Sequence, residues 1–230
     1  MDITLVIPTY NESQNIPVLL EKVFNVYRDM GLDGGVIVVD DNSPDGTWKL
    51  VEDLKEKYTR LGLLRRFNQR GLSSAVMLGF TTSKSDILGV MDADLSHPAE
   101  KIPELVRPLI KGEADIVIGS RYIEKGEISN WTLQRKIFSK LATFAVRGLT
   151  PVKDPMSGFF FLKREVINNV ELSPKGFKIG LELLVKGKYH NVLEVPILFQ
   201  DRVHGETKLS TKVIIDYLYQ VLRLYLYKVI

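Results

Sequence analysis

Leu88-Gly89-Val90-Met91-Asp92-Ala93-Asp94 is an apolar run that stops on two carboxylates. An uninterrupted apolar stretch of this kind is what a strand buried on both faces requires. Residues two apart in an extended chain point to the same side, so Asp92 and Asp94 can converge on one cation. The pattern recurs upstream: Ile3-Thr4-Leu5-Val6-Ile7 runs into Pro8-Thr9-Tyr10-Asn11-Glu12, and Val36-Ile37-Val38-Val39 runs into Asp40-Asp41-Asn42-Ser43. Between the first two runs, Ile16, Leu19, Leu20, Val23, Val26 and Tyr27 recur at the spacing of one helix face, predicting a helix from Ile16 to Met30. Further helices are predicted near Thr47 to Tyr58, Ser73 to Thr81 and Ala99 to Ile110, with strands around Leu61 to Leu64, Ile87 to Met91 and Ile116 to Ile118. Ser43 or Asp45 can cap the second helix.

Alternation of this kind predicts an α/β fold with a mostly parallel sheet flanked by helices and joined by right-handed crossovers. In such sheets ligands bind beyond the carboxyl ends of the strands. The polar segments after these strands therefore mark the expected site. No phosphate-binding glycine pattern follows the first strand, which moves ATPases and ordinary dehydrogenases down the order. Four aspartates near one cleft would repel one another unless a cation or hydrogen-bond donors intervene. A carboxylate at the end of the second strand can accept from ribose hydroxyls or a base edge, whereas Asp45 reads better as a helix cap.

Composition narrows the chemistry. The 230 residues contain no cysteine and three histidines, which excludes disulfide scaffolds, thiolate zinc sites and cysteine nucleophiles. A net charge of +3 is too mild for wholesale nucleic-acid binding. The amino terminus has no basic, long apolar leader, which points to cytosolic chemistry. Between Arg121 and Arg147, six basic residues face two acidic ones. In the helix predicted from Leu133 to Val146, Leu133, Ile137, Leu141 and Phe144 share one face, while Arg135 and Ser139 share another. That second face is either a solvated charged surface or an arginine–hydroxyl phosphate clamp. From Val213 to Ile230, Asp216, Gln220 and Arg223 form one stripe among apolar residues and Tyr217, Tyr219, Tyr225 and Tyr227. Four polar groups in such a stretch make a poor membrane span. An interfacial helix fits better, with a core or dimer helix as the alternative.

Val6-Ile7-Pro8-Thr9-Tyr10-Asn11-Glu12, Val39-Asp40-Asp41-Asn42-Ser43-Pro44-Asp45-Gly46-Thr47 and Met91-Asp92-Ala93-Asp94-Leu95-Ser96-His97-Pro98 resemble the inverting glycosyltransferases of family two. Gly71-Leu72-Ser73-Ser74-Ala75 and Gly119-Ser120-Arg121-Tyr122 narrow the resemblance to polyprenyl-phosphate sugar synthases, the mannose-transferring dolichol-phosphate branch above all. It continues through Asn130-Trp131, Arg135-Lys136, Ser157-Gly158-Phe159-Phe160 and Gly205-Glu206-Thr207-Lys208-Leu209, in order and over almost the whole chain.

The resemblance implies a GT-A (Rossmann-like) fold, with a catalytic domain over residues 1–211 that includes an amphipathic helix at about 133–147. Residues 212–230 would form a C-terminal amphipathic helix at the membrane interface. By the same resemblance, Pro8, Tyr10 and Glu12 surround the base and ribose of a sugar nucleotide, and Asp40 contacts the nucleoside. Asp92 and Asp94 bind Mg²⁺ or Mn²⁺ and with it the donor. Ser96 stands where some relatives place a third, glutamine, ligand. Arg121, Arg135 and Ser139 match acceptor-phosphate contacts. Arg202 and Lys208, in a loop around Gly205, match groups that close over the donor diphosphate. The expected reaction moves mannose from GDP-mannose to dolichyl (polyprenyl) phosphate with inversion, with Asp94, Arg121 and Arg202 carrying catalysis. No nucleic acid takes part, and the place is the cytoplasmic face of a membrane, with the chain peripheral or anchored. A UDP-glucose-dependent synthase, a non-catalytic nucleotide-sugar or membrane-binding module, and a nucleotidyltransferase are the competing readings.

Overall fold

The computed structural model describes residues 1–129, 133–173, 178–201 and 211–229. Its centre is a seven-stranded sheet built from β1 (Ile3–Thr9), β2 (Gly34–Asp40), β3 (Leu61–Arg65), β4 (Ile87–Val90), β5 (Ile116–Ser120), β7 (Phe160–Lys163) and β8 (Val192–Pro196). The strand order is β3-β2-β1-β4-β7-β5-β8. All pairings are parallel except those of β7, which runs antiparallel to both β4 and β5. A two-stranded ladder of β6 (Glu127–Ile128) and β9 (Leu198–Phe199) sits beside it.

Helices cover both faces because each strand of the sheet presents apolar side chains in both directions. Ile3, Leu5 and Ile7 of β1 point into one core layer with α1 (Ile16–Asp29) and α4 (Ile102–Ile110), and α2 (Thr47–Leu54) packs on the same side. Val6, on the other face, joins Val39, Leu88, Val90 and Phe160 beneath α3 (Leu72–Thr82) and α6 (Ile179–Lys186). Gly89 lets β4 approach β7: a methyl group there would collide with the Phe161 ring. Phe161 itself is fully buried; filling such a site contributes about 1.5–3 kcal/mol. A third, smaller cluster of Val146, Leu149, Met156, Leu181, Val221 and Leu224 docks α5 (Leu133–Ala145) and α7 (Thr211–Val229) against α6.

The alternating α/β reading and the mostly parallel sheet are borne out. The sequence did not reveal that β7 inserts between β4 and β5, because Phe159-Phe160-Phe161-Leu162 is apolar throughout and carries no sign of direction. The consequence for function is geometric. The carboxyl ends of β1, β2, β3, β4, β5 and β8 all lie along one edge, and the switch in connection order falls between β1 and β4.

Candidate active site

On the first half of that edge, the loops after β1 and β2 are laced together by backbone donors and side-chain acceptors. Asn11, Asn42 and Leu95 hold left-handed conformations (φ 59°, 54° and 61°) in the loops that follow β1, β2 and β4. Asparagine tolerates that region, but a leucine there is held by its surroundings at a cost of about 1–3 kcal/mol. The N–H of Asn11 donates to Ser43 Oγ (3.0 Å), that of Glu12 to Thr47 Oγ1 (2.9 Å) and that of Ser13 to Asp45 Oδ2 (3.0 Å). Asp45 also accepts from Thr47 N–H and hydroxyl (3.0 and 2.7 Å) at the start of α2, from the position before the N-cap, which is Gly46 and not Asp45 as expected. Burial pushes its carboxyl up, but these hydrogen bonds from Thr47 and Ser13 outweigh it and hold the group below the usual carboxylate range.

Pro8, Tyr10 and Glu12 stay partly exposed at the tip of β1, and the Arg70 guanidinium lies 4.6 Å over the Tyr10 ring. Asp40 corrects the expectation of a nucleoside contact. Its carboxylate is 0% exposed and accepts from Thr9 Oγ1 (2.8 Å), Ser43 N (2.8 Å) and Ser43 Oγ (2.6 Å), so it ties the tips of β1 and β2 together beneath the cleft. Asp41 is answered by Arg66, a residue sequence reasoning missed. Arg66 is buried, donates from Nε to Asp41 Oδ1 (2.6 Å), and reaches Ser74 Oγ and Gly71 O, while Gly71 N–H donates to Asp41 Oδ2 (3.0 Å). Arg65, also missed, stacks 3.6 Å over Trp48 and donates to Asn42 Oδ1 (2.8 Å). Asp40 and Asp41 are thus both held by protein donors.

Asp92 and Asp94 follow β4 at the middle of the edge. Asp94 is buried, and Ser96 donates to its Oδ1 from both hydroxyl (2.5 Å) and backbone N–H (3.2 Å). Ser96, matched to a third metal position, is 1% exposed and donates its hydroxyl proton to Asp94, which steadies that carboxylate. Asp92, with a third of its side chain exposed, lies over Gly158, where any side chain would strike the carboxylate, and 3.5 Å from Nε2 of buried His97. His97 is wedged between the rings of Phe159 and Phe199. Two carboxylates at this spacing are the hard oxygen donors a hydrated divalent ion takes. Among the described residues no group of three or more histidine, aspartate or glutamate side chains gathers to hold a metal.

The second half of the edge carries the cations. Arg121 follows β5, and its Nε and Nη2 donate to the two oxygens of Asp154 (2.7 Å each), with the backbone N–H adding a third bond (2.9 Å). Asp154 is fully buried and is held in turn by Glu194, which accepts from its backbone N–H (3.0 Å). Burial works against the Arg121 charge, but Asp154, Tyr122 and Asp92 outweigh it and push the guanidinium above its ordinary value. The face expected of α5 is assembled: Tyr122 Oη donates to Ser139 Oγ (2.7 Å), and Arg135 Nη1 donates to Asp201 Oδ1 (2.7 Å). Arg121 also stacks 5.2 Å from Phe199, two residues before Asp201. Gln200 N–H donates to Ser96 O (3.1 Å), so the segment from Ile197 to Asp201 joins the aspartate loop to the arginine face. Lys178, unread in the sequence, donates to Met156 O (3.3 Å). Burial, then the charge of Arg121, pulls its ammonium below the usual lysine range against the opposing fields of Asp92 and Asp154. Asp154, Arg66 and Lys178 lack any local pattern; each becomes visible only through a partner distant in sequence. Arg202 and Lys208, with Asn130 and Trp131, lie outside the described residues.

Beyond this cationic face, α5 and α7 run side by side. Tyr217 Oη donates to Ala142 O (2.7 Å), Tyr225 Oη to Ala145 O (2.9 Å) and Lys228 Nζ to Gly148 O (2.9 Å). Two of the four tyrosines expected at headgroup level therefore clasp α5, leaving Tyr219 and Tyr227 exposed. Ile137, Phe138, Leu141 and Phe144 of α5 and Ile215, Leu218 and Leu222 of α7 are exposed as well, Phe144 at 66%. Among the described residues no helix is long and apolar enough to cross a membrane.

A family model described as glycosyl transferase family 2 matches residues 4–170. The dolichol-phosphate mannosyltransferase of Pyrococcus furiosus is 46% identical over 228 residues, covering 97% of this chain and 64% of that protein. The dolichol-phosphate mannosyltransferase of Saccharomyces cerevisiae is 38% identical over 238 residues, covering 99% and 88%. Among solved structures, Mycobacterium tuberculosis glucosyl-3-phosphoglycerate synthase in complex with Mn²⁺, uridine diphosphate and phosphoglyceric acid superposes with a TM-score of 0.68 at 19% identity, over 99% of this chain and 78% of that one. Mannosyl-3-phosphoglycerate synthase from Rubrobacter xylanophilus gives 0.68 at 14% identity, over 97% and 72%. The solved structures show the GT-A fold.

Proposed function

The chain belongs to glycosyl transferase family 2, and from that premise we propose that it transfers mannose from GDP-mannose to dolichyl or another polyprenyl phosphate, giving dolichyl phosphate β-mannose. The observation that carries the reading is the placement of two unlike charge sets along one sheet edge. Asp92 and Asp94 stand after β4, and Arg121, Arg135 and Ser139 stand across the Ile197-to-Asp201 segment. The relatives' names supply the sugar and the lipid.

Pro8, Tyr10 and Glu12 line the donor's nucleoside, over the floor that Asp40 and Asp41 brace. Asp92 and Asp94 would hold the divalent ion, Mg²⁺ or Mn²⁺, which neutralises diphosphate charge when bound; solved neighbours of this fold carry Mn²⁺. A lipid phosphate monoester already bears close to two negative charges near neutrality, so its oxygen attacks the anomeric carbon without a general base. The carbon–oxygen bond to GDP breaks on the opposite face and inverts the configuration. The protein's task is alignment of two anions and compensation of their charge. Asp154 fixes the plane of the Arg121 guanidinium for that purpose, and Tyr122 orients Ser139. Arg202 and Lys208 are proposed at the departing diphosphate. The exposed ridge of α5 and α7 seats in the acyl boundary at the cytoplasmic face and brings the acceptor's phosphate to the arginines.

Labelled donors test this: mannose from GDP-mannose should enter an organic-extractable, acid-labile product only when dolichyl phosphate is present. Preferential transfer from UDP-glucose would move the assignment to the glucose synthase.

A further inference from the structure

The chain from Asp154 to Gly158 passes both charge sets of the cleft. At one end Asp154 grips Arg121 through Nε and Nη2 (2.7 Å each). At the other, Gly158 lies so close to Asp92 that any side chain there would strike the carboxylate. Between them Met156 O accepts from Lys178 Nζ (3.3 Å), which sets this ammonium between the aspartate notch and the arginine face. Its charge is felt on both sides, repelled by Arg121 and attracted by Asp92 and Asp154. Arg121 and Arg135 are each matched by a carboxylate, Asp154 and Asp201. Among the described residues Lys178 makes no ion pair, and its ammonium bonds only to that carbonyl. It is also the N-cap of α6, where the helix dipole disfavours a cation. A partly desolvated ammonium without a matching anion costs stability. Lys178 and Asp92 both keep part of their surface exposed. A charge that weakens the fold at the meeting point of two charge sets is accounted for by an anion that arrives with the substrates.

We infer that Lys178 is a further catalytic residue, its ammonium donating to a phosphate oxygen of the reacting pair and offsetting charge where the two anions meet. The inference deepens the function proposed above and rests on it. Two phosphates can supply that oxygen, the departing diphosphate and the attacking lipid phosphate, and the binding measurements below separate them. Lys178→Met removes the charge at nearly equal length, Lys178→Gln keeps an N–H donor for Met156 O without the charge, and Lys178→Arg keeps both.

With the full chain, GDP-mannose and a short-chain polyprenyl phosphate, Lys178→Met and Lys178→Gln should each lower kcat/KM by about a hundredfold, and Lys178→Arg by about tenfold or less. The melting temperature of the two neutral variants should hold or rise, because the ammonium they lose is unmatched in the fold. Wild-type rates in either neutral variant would overturn the inference; in Lys178→Gln they would show that the hydrogen bond to Met156, and not the charge, is what counts. Should Lys178→Met misfold, Lys178→Gln decides alone. Titration with GDP and Mn²⁺, and with guanosine, separates the sources. Weaker GDP binding with guanosine binding unchanged assigns the contact to the donor diphosphate. A raised KM for the polyprenyl phosphate with GDP binding unchanged assigns it to the acceptor, and both changes together place the ammonium between the two. If neither moves, or if guanosine binding falls as far as GDP binding, Lys178 meets no phosphate and the inference falls. A wild type that uses another sugar nucleotide would sink the mannose assignment and leave Lys178 to be judged by the same comparison with that donor. A wild type that turns over no sugar nucleotide would remove both.

Discussion

Helices α1 and α7 are both amphipathic, yet they are folded inside out relative to each other. In α1 the stripe of Ile16, Leu19, Leu20, Val23 and Tyr27 is buried against the sheet. In α7 Gln220 is turned inward beside Val221 and Leu224, while Leu218, Leu222 and Leu226 face out, each more than half exposed. Periodicity locates the boundary between two faces of a helix; it does not say which medium lies beyond either face. The difference teaches that the half of the molecule around α1 is stabilised by its own core, and that α5 and α7 leave an apolar surface exposed, the surface to which the proposed function assigns the lipid.

That contrast can be broken at either end. The largest expected effect belongs to the donor half: Asp94→Ala should lower kcat by about a thousandfold or more, with the KM for lipid acceptor little changed. Steady-state kinetics check it, and an acceptor-KM effect alone would place Asp94 on the wrong side of the cleft. Next comes the ridge. Replacing Leu218 and Phe144 together by aspartate should weaken vesicle partition by about a hundredfold, from the loss of two inserted apolar side chains. Activity toward a short-chain, water-soluble acceptor should survive, and vesicle flotation beside that assay separates the two results. A smaller effect is expected of Ser96→Ala, which removes the donor that orients Asp94: metal affinity should fall by about tenfold, measured by Mn²⁺ titration. Loss on the scale of Asp94→Ala would return Ser96 to direct ligation.

The smallest effect serves as a control remote from both halves. Burial pushes the Asp115 carboxyl up, but hydrogen bonds from Lys163 and from the backbone N–H groups of His190 and Asn191 bring it down to about 2. A folded value below the unfolded one, about 3.9, means this stabilisation is complete above that pH and is lost as pH falls toward about 2. Asp115→Asn should therefore flatten the decline of the melting temperature in that window; an unchanged slope would deny the pair its role in joining β5 to β7 and β8.

Much of the donor half was legible because its signals are local. An apolar run ending in Asp92 and Asp94, and another ending in Asp40 and Asp41, dictate strands whose tips are polar, and the parallel sheet follows. What the sequence did not show is which carboxylates the protein neutralises itself. Asp40 depends on Thr9 and Ser43, and Asp41 on Arg66, 25 positions away. On the acceptor half, the four-residue spacing of Arg135 and Ser139 predicted a shared face, but Asp201 and Tyr122 as their partners were unreadable, since they arrive from β9 and from the end of β5. Direction was the other silent property: the Phe160-Phe161-Leu162 run of β7 carries no sign of it, and only its insertion between β4 and β5 brings Gly158 beneath Asp92.

The central claim is that Asp92 and Asp94 form the cation notch on which the donor diphosphate rests, facing the arginines of the lipid phosphate. Anomalous diffraction from crystals soaked with GDP-mannose and Mn²⁺ tests it most directly. The account predicts one strong peak within coordination distance of both carboxylates, with the diphosphate on its far side toward Arg121. A peak elsewhere, or a nucleotide bound away from the loop after β4, would contradict it.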